Sequence, residues 1–288
     1  MTAILTKPKL FLKWVGGKTQ LLPQLLANLP PIWNPKQNYY YEPFIGGGAL
    51  LFELQPANCL IGDINGDLLN LYSQIATNVE GLIKELESDR FPNTKEDYLY
   101  IRSWDRSLRF KNTWSEGHAL WAARFLYLNK AGYRGLCRYN KDGQLNMPYG
   151  NYSSIDYNFD NLRAISHFLK NNMGGIIKDR PIHWEDTIFS AEKGDFIYFD
   201  PPYDPASETS SFTAYSKCEF GRAEQIELKE ATDSLTQKGV YVMQSNSATP
   251  FILDLYKDYP QVIVEAHRAI NNKKISREKV LEVIIKNY

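Results

Sequence analysis

Residues 39–49, YYYEPFIGGGA, decide the fold class of this chain. The first four predict a short strand, the glycines Gly46-Gly47-Gly48 predict a loop, and a helix is predicted from Ala49 onward. A strand that leads through a glycine loop into a helix is typical of α/β sheets, in which ligands bind at the carboxyl ends of the strands. The stretch therefore predicts an α/β fold with a ligand site at the end of this strand.

Strand and helix alternate on both sides of this stretch. Residues 59–62 predict a second strand, and a helix follows from about Asp67. Further strands are predicted at residues 176–177, 196–199, 240–244, 262–265 and 279–285, of which the last two could pair as a hairpin. Helices are predicted at residues 162–169, 224–236 and 250–257. Between these units, residues 81–128 show helical periodicity, and residues 130–152 predict loops or a hairpin. This order indicates a sheet domain with a second, mainly helical domain inserted into it.

Composition excludes several classes of protein. With 43% apolar and 23% charged residues among 288, the chain has the composition of a soluble globular protein. No apolar run reaches the roughly 18 residues of a membrane span, and residues 1–9 lack the apolar core of a signal peptide. Cys59, Cys137 and Cys218 are odd in number and far apart, which predicts a reducing compartment rather than a disulfide framework. The four histidines are isolated, so no metal site is expected.

Basic residues are segregated along the chain, although its net charge is zero. Residues 100–141 hold nine basic and two acidic side chains, and residues 267–279 hold five basic and one acidic. A one-sided contact with a polyanion requires such segregation, although chance clustering on solvated faces could also produce it. The first stretch falls mainly within the expected inserted domain, which is therefore the candidate nucleic-acid surface.

The glycine loop and the acid after the next strand predict a nucleoside site. Glycines let a ligand approach the backbone, and N–H groups at the start of a helix favour an electronegative group. Asp63 follows Glu42 by 21 positions, and in nucleotide-binding α/β folds an acid about 20 residues on binds ribose hydroxyls. The GxGxxG spacing is absent, which favours a mononucleoside over a dinucleotide. A tight turn without a ligand is the alternative.

A second glycine run, Gly16-Gly17-Lys18-Thr19, resembles the end of a phosphate-binding P-loop. That motif needs a further glycine five positions before Gly17, where this chain has Leu12. The apolar run before it, residues 10–14, is also short for a buried strand. P-loop chemistry is therefore not expected.

The run Asp200-Pro201-Pro202-Tyr203 carries the strongest chemical signal. It follows a predicted strand, so it lies where ligands of α/β sheets bind. The two prolines stiffen the backbone, remove two N–H donors and leave carbonyls directed outward. The Asp200 carboxylate and the Pro201 carbonyl can together accept both hydrogens of an aromatic amino group, and Tyr203 offers a ring for stacking on a base. A rigid strand-ending turn is the alternative, and the glycine loop and Asp63 in the right order make it much weaker.

The chain resembles the Dam-type (D12 class) DNA adenine-N6 methyltransferases over nearly its whole length, because it carries a series of motifs in the same order as these enzymes. The motifs are FLKWVGGK at 11–18, EPF at 42–44 with its glycine loop, DIN at 63–65, LYLNK at 126–130, GY at 132–133, GLCRYN at 135–140, NMPYG at 146–150, DPPY at 200–203, FTAY at 212–215, and Arg277 with Glu282-Val283. Any one of them could arise by chance, but their shared order could not.

The resemblance implies a fold and a chemistry. The fold is a Rossmann-like S-adenosylmethionine-dependent methyltransferase sheet, residues 1–65 and 159–288, with a target-recognition domain carrying a β-hairpin at 66–158. The residues expected to bind S-adenosylmethionine are Trp14, Lys18, Phe44, Gly46, Asp63 and Asp200; without the resemblance Trp14 would be an ordinary core aromatic. The residues expected to act on adenine N6 are Asp200, Pro201, Pro202 and Tyr203. Transfer needs positioning and electrostatics rather than a covalent enzyme intermediate or a metal, and the base must flip out of the duplex.

The same resemblance implies double-stranded DNA as the partner and GATC as the expected site. The residues that match the GATC-reading positions of Dam-type relatives are Lys13, Tyr133, Leu136, Arg138, Pro148 and Tyr152. Arginine can pair with guanine, and an apolar side chain can contact a thymine methyl group. Arg134 is a departure, because asparagine is common there, and Asn151 replaces a common arginine. Arg134 could therefore bind DNA through a phosphate without reading a base.

Two other functions fit parts of the pattern. N4-cytosine methylation poses the same chemical problem, but the motif order and Asp200 in place of a serine disfavour it. A DNA-binding protein without catalysis would not need the intact run from Asp200 to Tyr203. We expect a monomeric, cytoplasmic, nucleoid-associated enzyme that methylates adenine within GATC or another adenine-containing site. A cognate restriction endonuclease is a further expected partner if the enzyme serves restriction-modification.

Overall fold

A computed structural model describes residues 6–107, 118–173, 180–205, 220–267 and 279–288. Among these residues, six strands form one sheet: β1 Tyr39–Glu42, β2 Asn58–Ile61, β3 Phe196–Phe199, β4 Tyr241–Ser247, β5 Gln261–His267 and β6 Lys279–Lys286. The strand order is β2-β1-β3-β4-β6-β5. The first four strands run parallel, whereas β6 is antiparallel to both of its neighbours. The carboxyl ends of β2, β1, β3 and β4 therefore share one edge of the sheet.

The strands predicted within the described residues are present, with bounds that shift by a few residues. The hairpin expected at the end of the chain is confirmed, because β5 and β6 pair antiparallel from Gln261↔Ile285 to His267↔Lys279. The strand predicted at residues 176–177 lies outside the described residues. Met173, just before it, forms a parallel bridge with Cys59 of β2.

Helices cover both faces of the sheet. They are α1 Leu22–Ala27, α2 Ala49–Leu54, α3 Gly66–Leu86, α4 Lys95–Arg102, α5 His118–Ala131, α6 Phe159–Asn172, α7 Trp184–Ile188, α8 Arg222–Lys238 and α9 Pro250–Leu255. Side chains alternate across the sheet, as a pleated strand requires. Tyr40 and Tyr198 pack into one core with α2, α3, α5 and α6, whereas Tyr41 and Phe199 pack into another with α7 and α8. The result is a mixed α/β fold of three layers.

The middle of the chain is helical, as its periodicity predicts. The long helix α3 bends at Asn78, whose φ of −146° and ψ of 46° leave the helical region. Leu82 of α3 and Trp121 of α5 belong to the same continuous core as Tyr40 of β1. One buried core therefore extends across residues 66 and 158, the predicted boundaries between a sheet domain and an inserted domain. The division into two domains stays a prediction.

Residues 132–149 fold back on themselves. Gly132 bridges Tyr149 and Tyr139 bridges Leu145, both antiparallel, and a turn lies between the inner pair. These are isolated bridges, and residues 130–152 contain no strand. The β-hairpin expected here stays a prediction. None of the helices in the described part of the chain is long and apolar enough to cross a membrane.

Candidate active site

The carboxyl edge of the parallel strands carries the residues that the sequence singles out. The glycine loop follows β1, Asp63 follows β2, and Asp200 follows β3. Because β1 lies between β2 and β3, the glycine loop stands between the two carboxylates. This arrangement makes the edge the candidate active site.

Asp63 is fixed by backbone donors on both of its oxygens. The Gly46 N–H donates to Oδ2 over 3.1 Å, and the Asn65 N–H donates to Oδ1 over 2.9 Å. Asn65 in turn caps α3 by accepting a hydrogen bond from the Leu68 N–H. Burial raises the pKa of Asp63 to about 6, although these backbone donors oppose the rise. Through these two hydrogen bonds Asp63 joins the glycine loop to the segment that follows the second strand.

Trp14 lies directly on the glycine loop. A Cβ at position 46 would stand 2.7 Å from the indole Nε1, and one at position 47 would stand 3.1 Å from the Trp14 Cβ. Gly46 also has a φ of +45°, which disfavours other residues. The indole is half-buried, so part of its surface faces outward. Trp14 therefore packs on the glycine loop and against the main core with part of its ring exposed, and its role in binding the cofactor stays a prediction.

Lys18 and Asp200 form an ion pair across the site. Their Nζ and Oδ1 atoms are 2.8 Å apart, and only 11% and 20% of the two side chains is exposed. The ammonium also donates to the Gly16 carbonyl over 2.7 Å and lies 4.7 Å from the centre of the Tyr203 ring. Burial raises the pKa of Asp200 above its ordinary value, whereas Lys18 and Ser245 oppose that rise. Lys18 thereby connects the N-terminal segment to the loop after β3.

Side chains from three other elements hold the loop after β3. Gln225 of α8 donates to the Pro202 carbonyl over 2.8 Å, and the Tyr203 hydroxyl donates to Glu282 of β6 over 3.1 Å. Asn246 of β4 accepts from the Asp204 N–H over 3.0 Å. No described residue donates to the Pro201 carbonyl. Three side-chain contacts thus hold this loop at Pro202, Tyr203 and Asp204.

Phe44 differs from the other expected cofactor residues in its surroundings. Its ring meets Phe199 and Phe220 edge to face, with centroids 6.3 and 5.7 Å away. It belongs to the core on the α7 and α8 side of the sheet and is partly exposed. The role of Phe44 in lining a pocket stays a prediction.

Glu42 is a buried acid beside this site that the sequence did not single out as functional. It is 3% exposed and accepts a hydrogen bond of 2.8 Å from the Tyr40 hydroxyl. Burial raises its pKa to about 8, and the negative charge of Asp200 adds to the rise. An acid at the last position of a strand, just before Pro43, is the only signal that the sequence offers for it.

The expected DNA-reading residues form a second group. The Lys13 ammonium donates to the Lys130 carbonyl over 3.0 Å and lies 4.1 Å from the centre of the Tyr152 ring. The Tyr152 hydroxyl accepts from the Arg134 N–H over 3.0 Å, and the Arg134 guanidinium lies 5.2 Å from the Tyr133 ring. Lys13 directly precedes Trp14 in the chain, so the residues expected to read DNA lie next to those expected to bind the cofactor.

The other three expected DNA-reading residues lie on the same folded-back segment. Arg138 is exposed and donates from Nε to the Asn146 carbonyl over 2.8 Å. The Pro148 carbonyl accepts from the Tyr133 N–H over 2.8 Å. Leu136 is half-buried. Together with Arg134, the segment thus presents two exposed arginines and two partly exposed apolar residues.

The basic stretch contributes less to the surface than its charge count predicts. Arg124 is 1% exposed, pairs with Asp105 over 3.1 Å and donates to the Ile101 and Arg102 carbonyls. It is a structural residue, so counting it toward a DNA surface was wrong. Arg109 and Lys111 lie outside the described residues, as do FTAY at 212–215 and Arg277. Arg134 and Arg138 are exposed.

The model of the D12 class N6 adenine-specific DNA methyltransferase family matches residues 14–270. The chain belongs to this family. The D12 enzyme is similar to the type II methyltransferase M1.LlaDCHI of Lactococcus lactis subsp. cremoris, with 42% identity over 96% of this chain and 95% of the relative. It is 39% identical to the type II methyltransferase M.MjaIII of Methanocaldococcus jannaschii, over 97% and 99% of the two chains. It is 33% identical to the DNA adenine methylase of Haemophilus influenzae, over 96% and 94%.

These findings confirm the family expected from the motifs. The D12 enzyme is an adenine-specific DNA methyltransferase. The run from Asp200 to Tyr203 and the glycine loop both lie within the matched residues. The individual roles of the site residues stay predictions.

Proposed function

We propose that the D12 enzyme transfers the methyl group of S-adenosylmethionine to N6 of an adenine flipped out of duplex DNA. The observation that carries this proposal is the arrangement of acceptors after β3. Asp200 Oδ1 is occupied by Lys18 and Ser245, whereas no described residue donates to Asp200 Oδ2 or to the Pro201 carbonyl. These two acceptors, which lack a donor among the described residues, match the two hydrogens of one amino group.

The residues at the sheet edge fit a methyl-donor nucleoside. Asp63 keeps lone pairs for ribose hydroxyls beyond its two backbone donors, and it stays at a fixed position because those donors hold it. Gly46 and Gly47 let the Trp14 indole pack directly on the loop, and the exposed part of the indole offers a flat surface against which a ligand can lie. When bound, the donor supplies an electrophilic methyl group next to the acceptors of the Asp200 loop.

The residues of the site then have to make the amino nitrogen nucleophilic and to orient it toward the methyl group of the donor. The lone pair of adenine N6 is delocalised into the ring. Hydrogen bonds from the amino group to Asp200 and the Pro201 carbonyl draw electron density back onto nitrogen and fix its direction. Charge-assisted hydrogen bonds in a buried site are the strong kind, and transfer in line needs no covalent enzyme intermediate.

Duplex DNA binds on the segment that carries Arg134 and Arg138. Both side chains are exposed, and Lys13 lies over the ring of Tyr152, whose hydroxyl accepts from the Arg134 N–H. The target atom is unreachable within the duplex, so the base leaves the stack and lies on the Tyr203 ring. Unstacking costs a few kcal/mol, which stacking on Tyr203 and phosphate contacts offset.

The recognition sequence that we propose is GATC. Arg138 carries a guanidinium that can pair with guanine, and Leu136 and Pro148 can contact thymine methyl groups. DNA adenine methylases among the relatives support a Dam-like site. The names of two other relatives place them with type II methyltransferases, which supports a restriction-modification role with a cognate endonuclease as a partner. We further propose that the enzyme acts as a monomer at the nucleoid, where its substrate is.

A transfer assay tests the reaction. Enzyme, tritiated S-adenosylmethionine and a duplex with one GATC site should give labelled N6-methyladenine after digestion of the DNA to nucleosides. A matched duplex in which GATC is scrambled should remain unlabelled. N4-methylcytosine as the only product, or no label, contradicts the proposed reaction. N6-methyladenine in both duplexes contradicts only the proposed site.

A further inference from the structure

A buried hydroxyl pair stands behind the Asp200 carboxylate. Ser245 lies on β4 and is 0% exposed, and its Oγ donates to Asp200 Oδ1 over 3.1 Å. The Tyr198 hydroxyl, 1% exposed, lies 2.7 Å from the same Oγ. Because the one Ser245 hydroxyl proton is used on Asp200, Tyr198 donates to Ser245. The three groups form a chain of hydrogen bonds that ends on the carboxylate.

The sheet register creates this chain. β3 and β4 run parallel, with Phe199 opposite Gln244, so the next position on each strand places Asp200 beside Ser245. Tyr198 is two residues before Asp200 and points to the same face of the sheet. Tyr198 and Ser245 thus lie on adjacent central strands, and Asp200 directly follows the first of them, in the part of a fold that opens least readily.

The donors on Asp200 are distributed unequally between its two oxygens. Oδ1 receives both Lys18 and Ser245, and no described residue donates to Oδ2. An ammonium on a flexible four-carbon stem attracts a carboxylate without fixing its rotation, and Lys18 also donates to the Gly16 carbonyl. A serine on a central strand fixes the direction from which Oδ1 is held. The plane of the carboxylate, and with it the direction of Oδ2, depends on Ser245.

We propose that Ser245, backed by Tyr198, is a positioning residue for methyl transfer. It holds Oδ1 so that Oδ2 faces the adenine amino group, and it acts through Asp200 without touching the substrate. This inference rests on the proposed function, because it assumes that Asp200 accepts an amino hydrogen.

The experiment compares two serine-to-alanine changes on the same strand. Ser245→Ala removes the donor to Asp200. Ser247→Ala is the matched control, since Ser247 is 1% exposed and its hydroxyl has no partner among the described residues. We expect Ser245→Ala to lower kcat roughly ten- to a hundredfold, the loss expected for one hydrogen bond to a charged group. The KM values for DNA and S-adenosylmethionine should stay within about twofold of wild type, and Ser247→Ala should keep wild-type kcat, as expected when no hydrogen bond is lost.

Three further readouts separate positioning from folding. Ser245→Thr restores the hydroxyl and should recover most of kcat. Tyr198→Phe removes only the second hydroxyl and should lower kcat by a smaller factor. The acid limb of the rate profile should move to higher pH in Ser245→Ala, because the lost donor favours the ionised carboxylate.

The outcomes distinguish the two levels of the proposal. A wild-type enzyme that forms no N6-methyladenine overturns the proposed function itself. An active wild type with equal kcat in Ser245→Ala and Ser247→Ala overturns only the role of Ser245. A Ser245→Ala enzyme that loses activity in proportion to its folded fraction, with no shift in its pH profile, also overturns that role.

Discussion

At the scale of single residues, the proposed chemistry depends most on Asp200. Replacing it with alanine removes one of the two acceptors proposed for the amino group and leaves Lys18 without its partner at 2.8 Å. We expect Asp200→Ala to lose methyl transfer by about a hundredfold or more, the size found when one preorganised transition-state contact is removed. Duplex binding, measured by gel shift, should be retained because the residues proposed to read DNA lie elsewhere. Near-normal turnover in this variant contradicts the mechanism.

Glu42 gives a prediction about pH. Its folded pKa of about 8 lies above its ordinary value of 4.5, because burial disfavours the charged form. The folded state therefore binds more protons than the unfolded state between these values, and stability contributed by neutral Glu42 is lost as pH rises from about 4.5 to about 8. Glu42→Gln can still accept from Tyr40 and should lose this dependence.

Chemical denaturation of wild type and Glu42→Gln at pH 5 and at pH 8.5 measures the effect. From pH 5 to pH 8.5, the free energy of unfolding of wild type should fall by a few kcal/mol more than that of Glu42→Gln. Other titrating groups, Asp63 among them, are present in both proteins and cancel in the difference. Parallel pH profiles contradict a protonated Glu42.

At the scale of elements, Tyr139 links the folded-back segment to the start of α3. Its hydroxyl lies 2.9 Å from Asp67 Oδ2 and 3.1 Å from Asn65 Oδ1, and the Asn65 N–H holds Asp63. We expect Tyr139→Phe to lower the free energy of unfolding by about 1–3 kcal/mol and to weaken cofactor binding several-fold. Calorimetric titration with S-adenosylmethionine and thermal melting measure the two effects.

Tyr157→Phe is the control for that change. The Tyr157 hydroxyl is buried and has no partner among the described residues, so its removal breaks no hydrogen bond. If both variants bind the cofactor equally well, the segment and the cofactor site are independent. A loss in Tyr139→Phe alone shows that they are connected through Asn65.

The sequence predicts elements and local chemistry well, and contacts between distant elements poorly. β1, β3 and the loop of Asp200 follow from residue patterns because strands, prolines and glycines act locally. Ser245 does not follow, since its role depends on the register of β4 against β3. The burial of Arg124 does not follow from the sequence for a similar reason. Nothing near it in the sequence indicates that Asp105 and two carbonyls enclose it.

At the scale of the whole molecule, charge segregation predicts how DNA binding responds to salt. A neutral chain that binds DNA through a few exposed basic side chains should lose affinity steeply as salt rises. We expect a loss of roughly a hundredfold between about 50 and 200 mM salt, which corresponds to about four phosphate contacts. Fluorescence anisotropy with a labelled duplex measures the slope.

Arg134→Asn refines this measurement. Arg134 has a φ of +54°, a conformation that asparagine adopts more readily, so the fold should tolerate the change. If Arg134 contacts a phosphate, the salt slope falls by about one and the preference for GATC over a scrambled site is unchanged. A changed preference indicates instead that Arg134 reads a base.

The contact between Gly135 and Lys13 limits how this enzyme can be re-engineered. Gly135 has a φ of +62°, and a Cβ there would overlap the Cβ of Lys13. Asn129 also fixes the backbone of Lys13, accepting from its N–H over 3.0 Å and donating to its carbonyl over 2.7 Å. A recognition segment grafted from a relative therefore cannot be exchanged as a self-contained cassette. A working chimera has to carry the residue at position 13 together with its partners at 129 and 135, because the residues proposed to read DNA and to bind the cofactor share that short piece of backbone.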